Sequence, residues 1–119
     1  MPRKKTSWII EIPGPIVAYT RTTQRSKWSK RYQKYVLWKN FVRGIADGVG
    51  VPEVLDPAKR YGVYVTARYK KKPRHDIDNA LKGAVDSLFA QDRQVTYVCA
   101  NAVENCPEEC MTITVKVRD

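Results

Sequence analysis

Residues 77–88 constrain this chain more than any other stretch. Ile77, Leu81, Val85 and Leu88 fall on one side of a 3.6-residue wheel, and Asp78, Asn79, Lys82 and Asp86 fall on the other. A helix over about residues 78–89 with one apolar side has to bury that side against a larger layer. Residues 61–69, just upstream, alternate with period two: Val63, Val65 and Ala67 oppose Tyr64, Thr66 and Arg68, the pattern of a half-buried strand. The polar side of the helix is expected to face a functional site.

The remaining elements follow from the same two periods. Ser7-Trp8-Ile9-Ile10-Glu11-Ile12 reads as a first strand, stopped by Pro13-Gly14-Pro15. The polar, basic stretch up to Ser29 has no clear period and reads as a long functional loop. From Lys30 onward, Tyr35, Trp38, Phe41, Val42 and Ile45 recur at threes and fours, with Ser29 as the expected N-cap and Gly48 as the expected stop. Residues 95–103 and 111–117 read as the last strands, and the short link around Cys106-Pro107-Glu108-Glu109 predicts an antiparallel hairpin. The expected fold is a single α/β (α+β) domain over residues 1–119, a small mixed β-sheet with two helices in the order β-α-β-α-β-β. There is no internal repeat and no low-complexity segment.

Charge narrows the partner. The chain holds 22 Lys+Arg against 12 Asp+Glu, a formal net charge of +10. Residues 1–43 alone contain 11 of the basic residues and one acid, Glu11, so the remainder is neutral overall. Within that remainder, residues 59–74 hold seven bases and no acid, whereas residues 76–119 hold eight acids and four bases. A basic frame thus surrounds an acidic tract. Basic residues interleaved with Tyr19, Trp28, Tyr32, Tyr35 and Trp38 suit nucleic acid, because cations displace condensed counterions and aromatic faces stack on unpaired bases. Each of these aromatics also has a plain reading as core. No segment pairs a basic face with a broad apolar one, which ranks a membrane surface lower.

No apolar run approaches the roughly 18 residues of a membrane span, and Met1-Pro2-Arg3-Lys4-Lys5-Thr6 leads into a strand pattern with no signal-peptide core. A cytoplasmic protein is expected. Cys99, Cys106 and Cys110 make an odd count, so reduced thiols are expected in place of a disulfide framework. A structural zinc wants four ligands, and the single histidine, His75, is far in sequence from Cys106 and Cys110.

The sharpest local feature is His75-Asp76-Ile77-Asp78-Asn79, with Lys82 four residues after Asp78 and a third acid, Asp92, after the helix. Two aspartates one residue apart, between a basic strand exit and a helix start, can aim their carboxylates at one point, and hard divalent cations take such oxygens. Each piece alone has a structural reading: a turn acid, an N-cap at Asp78, an i,i+4 partner, a loop acid. Together they would repel the phosphates that the rest of the surface attracts. Bound Mg²⁺ resolves that conflict, and a metal lowers the pKa of a bound water at a phosphodiester.

At these residues the sequence resembles the RusA family of Holliday junction resolvases, endonucleases of bacteria and their prophages. Residues 74–88, Arg74-His75-Asp76-Ile77-Asp78-Asn79-Ala80-Leu81-Lys82-Gly83-Ala84-Val85-Asp86-Ser87-Leu88, look like the family pattern R-x-D-x-D-N-x-x-K-x-x-x-D-x-L, and Asp92-Arg93-Gln94-Val95 looks like its D-x-Q-V. The resemblance implies Asp76, Asp78 and Asp92 as metal-binding catalytic acids and Lys82 as an essential lysine. It implies a homodimer that uses Mg²⁺, with Mn²⁺ able to substitute, to cut two strands of a four-way DNA junction symmetrically in recombination and repair. No small-molecule cofactor is implied. Asn79 and Asp86 match family positions as well, Asp86 in a supporting or a structural role. Lys27, Lys30, Lys70, Lys71, Lys72 and Arg74 are expected to hold the DNA backbone, where phosphate contacts set register. Two departures stand out: the segment between Leu88 and Asp92 is short, and Gln91 occupies a position where the family often has another acid.

Lys82 could neutralise the attacked phosphate, stabilise transition-state charge or acidify a water. Two rivals keep the same residues in other roles. One is a non-enzymatic nucleic-acid-binding module in which the aspartates are caps and loop acids. The other is a nuclease of the same mechanism acting on flaps, forks or RNA.

Overall fold

The computed structural model describes residues 6–17, 19–20, 29–73 and 75–118. Six elements follow in the expected order: β1 (Ser7–Pro13), α1 (Lys30–Val49), β2 (Arg60–Arg68), α2 (Ile77–Leu88), β3 (Val95–Val103) and β4 (Cys110–Arg118). They form a mixed α+β fold of one four-stranded sheet and two helices. No helix among the described residues is long and apolar enough to cross a membrane.

Alternation decides which side of each strand is buried. In β1, Trp8, Ile10 and Ile12 are buried while Ser7, Ile9 and Glu11 are exposed. Met111, Ile113 and Val115 of β4 and Tyr61, Val63, Val65 and Ala67 of β2 continue the same buried layer. Tyr35, Val42 and Ala46 of α1 and Ala80, Ala84 and Leu88 of α2 close over it.

The expected β3–β4 hairpin is not formed. The sheet order is β1-β4-β2-β3, with β2 and β3 parallel and β4 antiparallel to both β1 and β2. A parallel pair needs a crossover, and α2 supplies it. The Tyr69 N–H then donates to the Val103 carbonyl at 2.8 Å and the Cys106 N–H donates to the Tyr69 carbonyl at 2.9 Å. The link after β3 therefore passes over the end of β2 and delivers β4 to its other side. A short link is as able to step across one strand as to turn back beside its own, and its length alone predicted the wrong neighbour.

Two helix boundaries and one helix face also differ from expectation. Ser29 caps α1 as expected, its Oγ accepting from the Tyr32 N–H at 3.1 Å. The stop is Gly50 and not Gly48: Gly50 is left-handed (φ 95°) and its N–H donates to the Ala46 carbonyl at 2.9 Å. Phe41, expected on the core side, is 45% exposed, and Ala46 is buried in that row. The N-cap of α2 is Asp76, not Asp78, and the helix starts at Ile77.

On α2 the most deeply buried strip is Ala80, Gly83, Ala84, Ser87 and Leu88, whereas Ile77 and Leu81 are only half-buried. Small side chains win there because the two helices lie close together. A Cβ on Gly83 would stand 3.4 Å from the Trp38 ring and 3.5 Å from the Tyr35 ring. Leu81 and Val85 are displaced to the flank nearer β3.

Candidate active-site cavity

That displacement leaves a cavity of about 540 Å³ between α2 and β3. Leu81, Val85, Phe89, Val95 and Val98 give it apolar walls, and Asp78, Lys82, Asp86, Gln91 and Asp92 supply its polar lining. Helical spacing puts Asp78, Lys82 and Asp86 in one row, four residues apart. Asp76 stands one residue outside the helix, with extended backbone (φ −68°, ψ 147°).

The side chains of Asp76, Asp78, Lys82 and Asp92 are all exposed. Among the described residues none of them has an ion-pair or side-chain hydrogen-bond partner. Asp76 occupies the cap position, yet its carboxylate makes no capping bond. The structural readings of Asp78 as the N-cap and of Lys82 as an ion-pair partner of Asp78 therefore lack their contacts. Asp78, in the first turn, still has a favourable orientation toward the helix dipole.

Asp86 is different. The Tyr35 Oη donates to its Oδ2 at 2.6 Å, and the Lys39 Nζ stands 3.0 Å from the same oxygen. Its charge is spent on joining α2 to α1. Burial, followed by the hydrogen bond to Asp86, pushes the Tyr35 phenol far above its ordinary pKa. Asn79 is half-buried, and its backbone carbonyl accepts from the Tyr19 N–H at 3.2 Å, which fastens the loop before α1 to the start of α2.

The candidate carboxylates do not all converge. Asp76 and Asp78 share the N-terminal end of α2. Asp92 follows its other end, beside the start of β3, and the helix from Asp78 to Leu88 is about 15 Å long at the standard rise. Among the described residues no group of three His, Cys, Asp or Glu side chains is placed to hold a metal ion. The donor chemistry of the Asp76–Asp78 pair nonetheless fits Mg²⁺, which usually keeps several waters and takes one or two carboxylates with substrate phosphate oxygens.

The basic candidates are spread along the approach. Lys70, Lys71 and Lys72 are exposed in the link between β2 and α2, directly upstream of Asp76, and Lys30 is exposed at the first turn of α1. Lys27 and Arg74 lie outside the described residues, as does Trp28. Of the other aromatics in the basic frame, Tyr35 and Trp38 belong to the core, and Tyr19 and Tyr32 pack half-buried against it.

Sequence reasoning missed two sets of contacts that shape the site. His75 Nε2 and Tyr69 Oη form a hydrogen bond at 3.0 Å, with their rings edge-on at 5.7 Å. Tyr69 is buried, so this contact steadies the backbone immediately before Asp76; burial and the nearby Glu109 charge raise the pKa of its phenol. Arg43 reaches the Leu88 and Val51 carbonyls as well as Asp47, and so fixes where the chain leaves α2 toward Asp92. Only the Arg43–Asp47 spacing was visible in sequence; the carbonyl partners are remote.

No protein-family model matches this chain, and no curated protein matches it.

Proposed function

We propose that this protein is a metal-dependent, structure-selective endonuclease that resolves four-way DNA junctions by paired symmetric cuts, acting as a homodimer in the cytoplasm. The observation that carries the reading is a set of exposed charges on adjoining turns with no partner among the described residues: Asp76, Asp78 and Lys82, directly downstream of Lys70, Lys71 and Lys72. The resemblance of residues 74–95 to the RusA family supports it.

Asp76 and Asp78 would hold Mg²⁺ or Mn²⁺. Such an ion, when bound, supplies an activated water and neutralises charge at the phosphodiester. Lys82, one turn along the same helix face, is set to bind the attacked phosphate and to offset charge that builds on its oxygens. The lysines of the upstream link hold the DNA backbone in register. His75, hydrogen-bonded to Tyr69, keeps the first aspartate from drifting.

Among the described residues Asp92 is not placed with Asp76 and Asp78 to hold one metal ion within a single chain. A four-way junction has near two-fold symmetry, and a two-fold pair of chains makes each surface meet its mate. In that arrangement Asp92 of one chain completes the carboxylate set of the other.

The deciding experiment incubates the protein and its Asp76→Asn variant with Mg²⁺ and labelled four-way junction, duplex, flap and single strand. Paired nicks confined to the junction and lost in the variant are expected. Folded protein that binds these DNAs and cuts none of them would establish the non-enzymatic binding module instead, and cuts confined to flaps would change the substrate.

A further inference from the structure

Both helices pack on one face of the sheet, and among the described residues the opposite face is open. Strand register fixes what stands on it. Gly62 lies between Lys116 of β4 and Tyr97 of β3, and Tyr64 lies between Thr114 and Cys99. No side chain on this face belongs to the buried core: Ile9 is 61% exposed and Tyr97 42%.

Its centre is a pair of rings. The Tyr64 and Tyr97 ring centroids are 5.5 Å apart, with the rings tilted 40° to each other. Gly62 makes room for it, since a Cβ at that position would lie 3.2 Å from Tyr64 Cε2 and 3.3 Å from its Oη. The Tyr64 ring therefore lies along the sheet, over the glycine, and does not stand up from it. The Lys116 Nζ lies over the Tyr64 ring, 5.5 Å from its centroid, and the Arg118 Cζ lies over the Tyr97 ring at 4.7 Å; both side chains are exposed and long, and swing off the rings when a base stacks there. Arg60 and Arg68 project on the same side. The one acid in these rows, Glu11, already accepts from the Thr112 hydroxyl at 2.9 Å, and Thr112 accepts from Arg68 at 2.7 Å.

We infer that this open face is a second nucleic-acid site, one that binds single strands by stacking bases on Tyr64 and Tyr97 while Lys116 and Arg118 take the phosphates. The chemistry selects that occupant. Every base has a π-face, so a pair of rings on a sheet gives sequence-tolerant affinity, and adjacent cations track the backbone. Paired bases hide their faces, so a duplex gains only the ionic part. A second copy of this chain seated face to face would oppose Arg60, Arg68, Lys116 and Arg118 with the same four cations, against a single acid on each side. The aromatic rings could also serve merely to cover Gly62, a role that requires no ligand.

This inference does not rest on the nuclease reading, because it concerns the side of the sheet away from α2. The test is fluorescence anisotropy of a labelled (dT)15 strand and of a duplex of equal length, both in EDTA, with wild-type protein and a Tyr64→Leu/Tyr97→Leu double variant. Loss of stacking should weaken (dT)15 binding by about tenfold or more and change duplex binding less than twofold. Unchanged (dT)15 affinity in the double variant would overturn the proposal. If that variant does not fold, alkylation of Cys99 in wild-type protein, mapped by peptide, gives the same answer, since Cys99 sits beside Tyr64 in register. Protection by (dT)15 supports the site. Protection that rises with protein concentration alone, with a matching dimer in sedimentation, shows that a second copy occupies the face and overturns it.

Discussion

The Tyr35 hydroxyl donates a 2.6 Å hydrogen bond to the Asp86 carboxylate, from the buried side of α1 to the cavity side of α2. Among the described residues it is the one side-chain bond that ties the polar row of α2 to the core, and with Lys39 it occupies the Asp86 carboxylate, whereas Asp78 has no such partner. Tyr35→Phe should cost about 1 kcal/mol at neutral pH, the ordinary net worth of such a bond. The pH dependence is more telling. Because the folded protein holds the phenol's pKa above its unfolded value near 10, stability is full below that pH and falls as pH rises past it, where only the unfolded chain ionises. Denaturant melts at pH 9 and pH 11 should show a shallower alkaline loss in Tyr35→Phe than in wild type.

Lys82→Ala should slow junction cleavage by a factor on the order of 10² to 10³, as for loss of one preorganised stabiliser. Its exposed position predicts an unchanged melting temperature. Single-turnover rates equal to wild type would reduce Lys82 to a solvated helix residue.

Asp76→Asn and Asp78→Asn remove charge that opposes phosphate when no metal is bound. Each should bind a four-way junction at least as tightly as wild type in EDTA and make no cut in Mg²⁺. Gel shift and cleavage on the same preparations read both halves, and cutting by both folded variants would sink the proposed site.

The proposal that Asp92 of one chain completes the site of its partner makes a stoichiometric prediction. An equal mixture of the inactive Asp78→Asn and Asp92→Asn proteins, allowed to exchange subunits, should recover about a quarter of the wild-type nicking rate, since half the dimers then hold one intact site of two. The products should be single nicks and not paired cuts. A mixture as inactive as its components would show that Asp92 does not complete the partner chain's site.

The end of α1 offers a test of the fold alone. Gly48 lies within the helix with open space where a Cβ would go, whereas Gly50 is left-handed at φ 95°. Gly48→Ala should stabilise by up to about 1 kcal/mol, and Gly50→Ala should destabilise by about 1 kcal/mol. Chemical denaturation of the two variants side by side checks the signs.

Element identity was legible in the sequence because periodicity is a local property: the alternation through Val63, Val65 and Ala67 and the helical recurrence of Tyr35, Trp38 and Val42 need no partner to be seen. Neighbour relations were not. Nothing in the residues after Val103 distinguishes a turn beside β3 from a step across β2, since the deciding bonds run to Tyr69. The buried strip of α2 was misjudged for a related reason. Size suggested Leu81 and Ile77 as the core contacts, but the closeness of α1 favours Ala80, Gly83 and Ala84. For the candidate site, the residue types along residues 75–92 and the helix between Asp78 and Asp92 were readable, whereas the bond that occupies Asp86 was not, because its partner Tyr35 is remote in sequence.

The strand order has a consequence for synthesis. β1 leaves the ribosome before the other described strands, yet its one partner among them is β4, which follows all of them in the chain. Until β4 emerges, Trp8, Ile10 and Ile12 have no strand beside them, and β2 has only one of its two neighbours. The nascent chain therefore has no stable halfway sheet to rest in, and closure of the fold is deferred to the moment when Met111, Ile113 and Val115 slide between strands already waiting on either side.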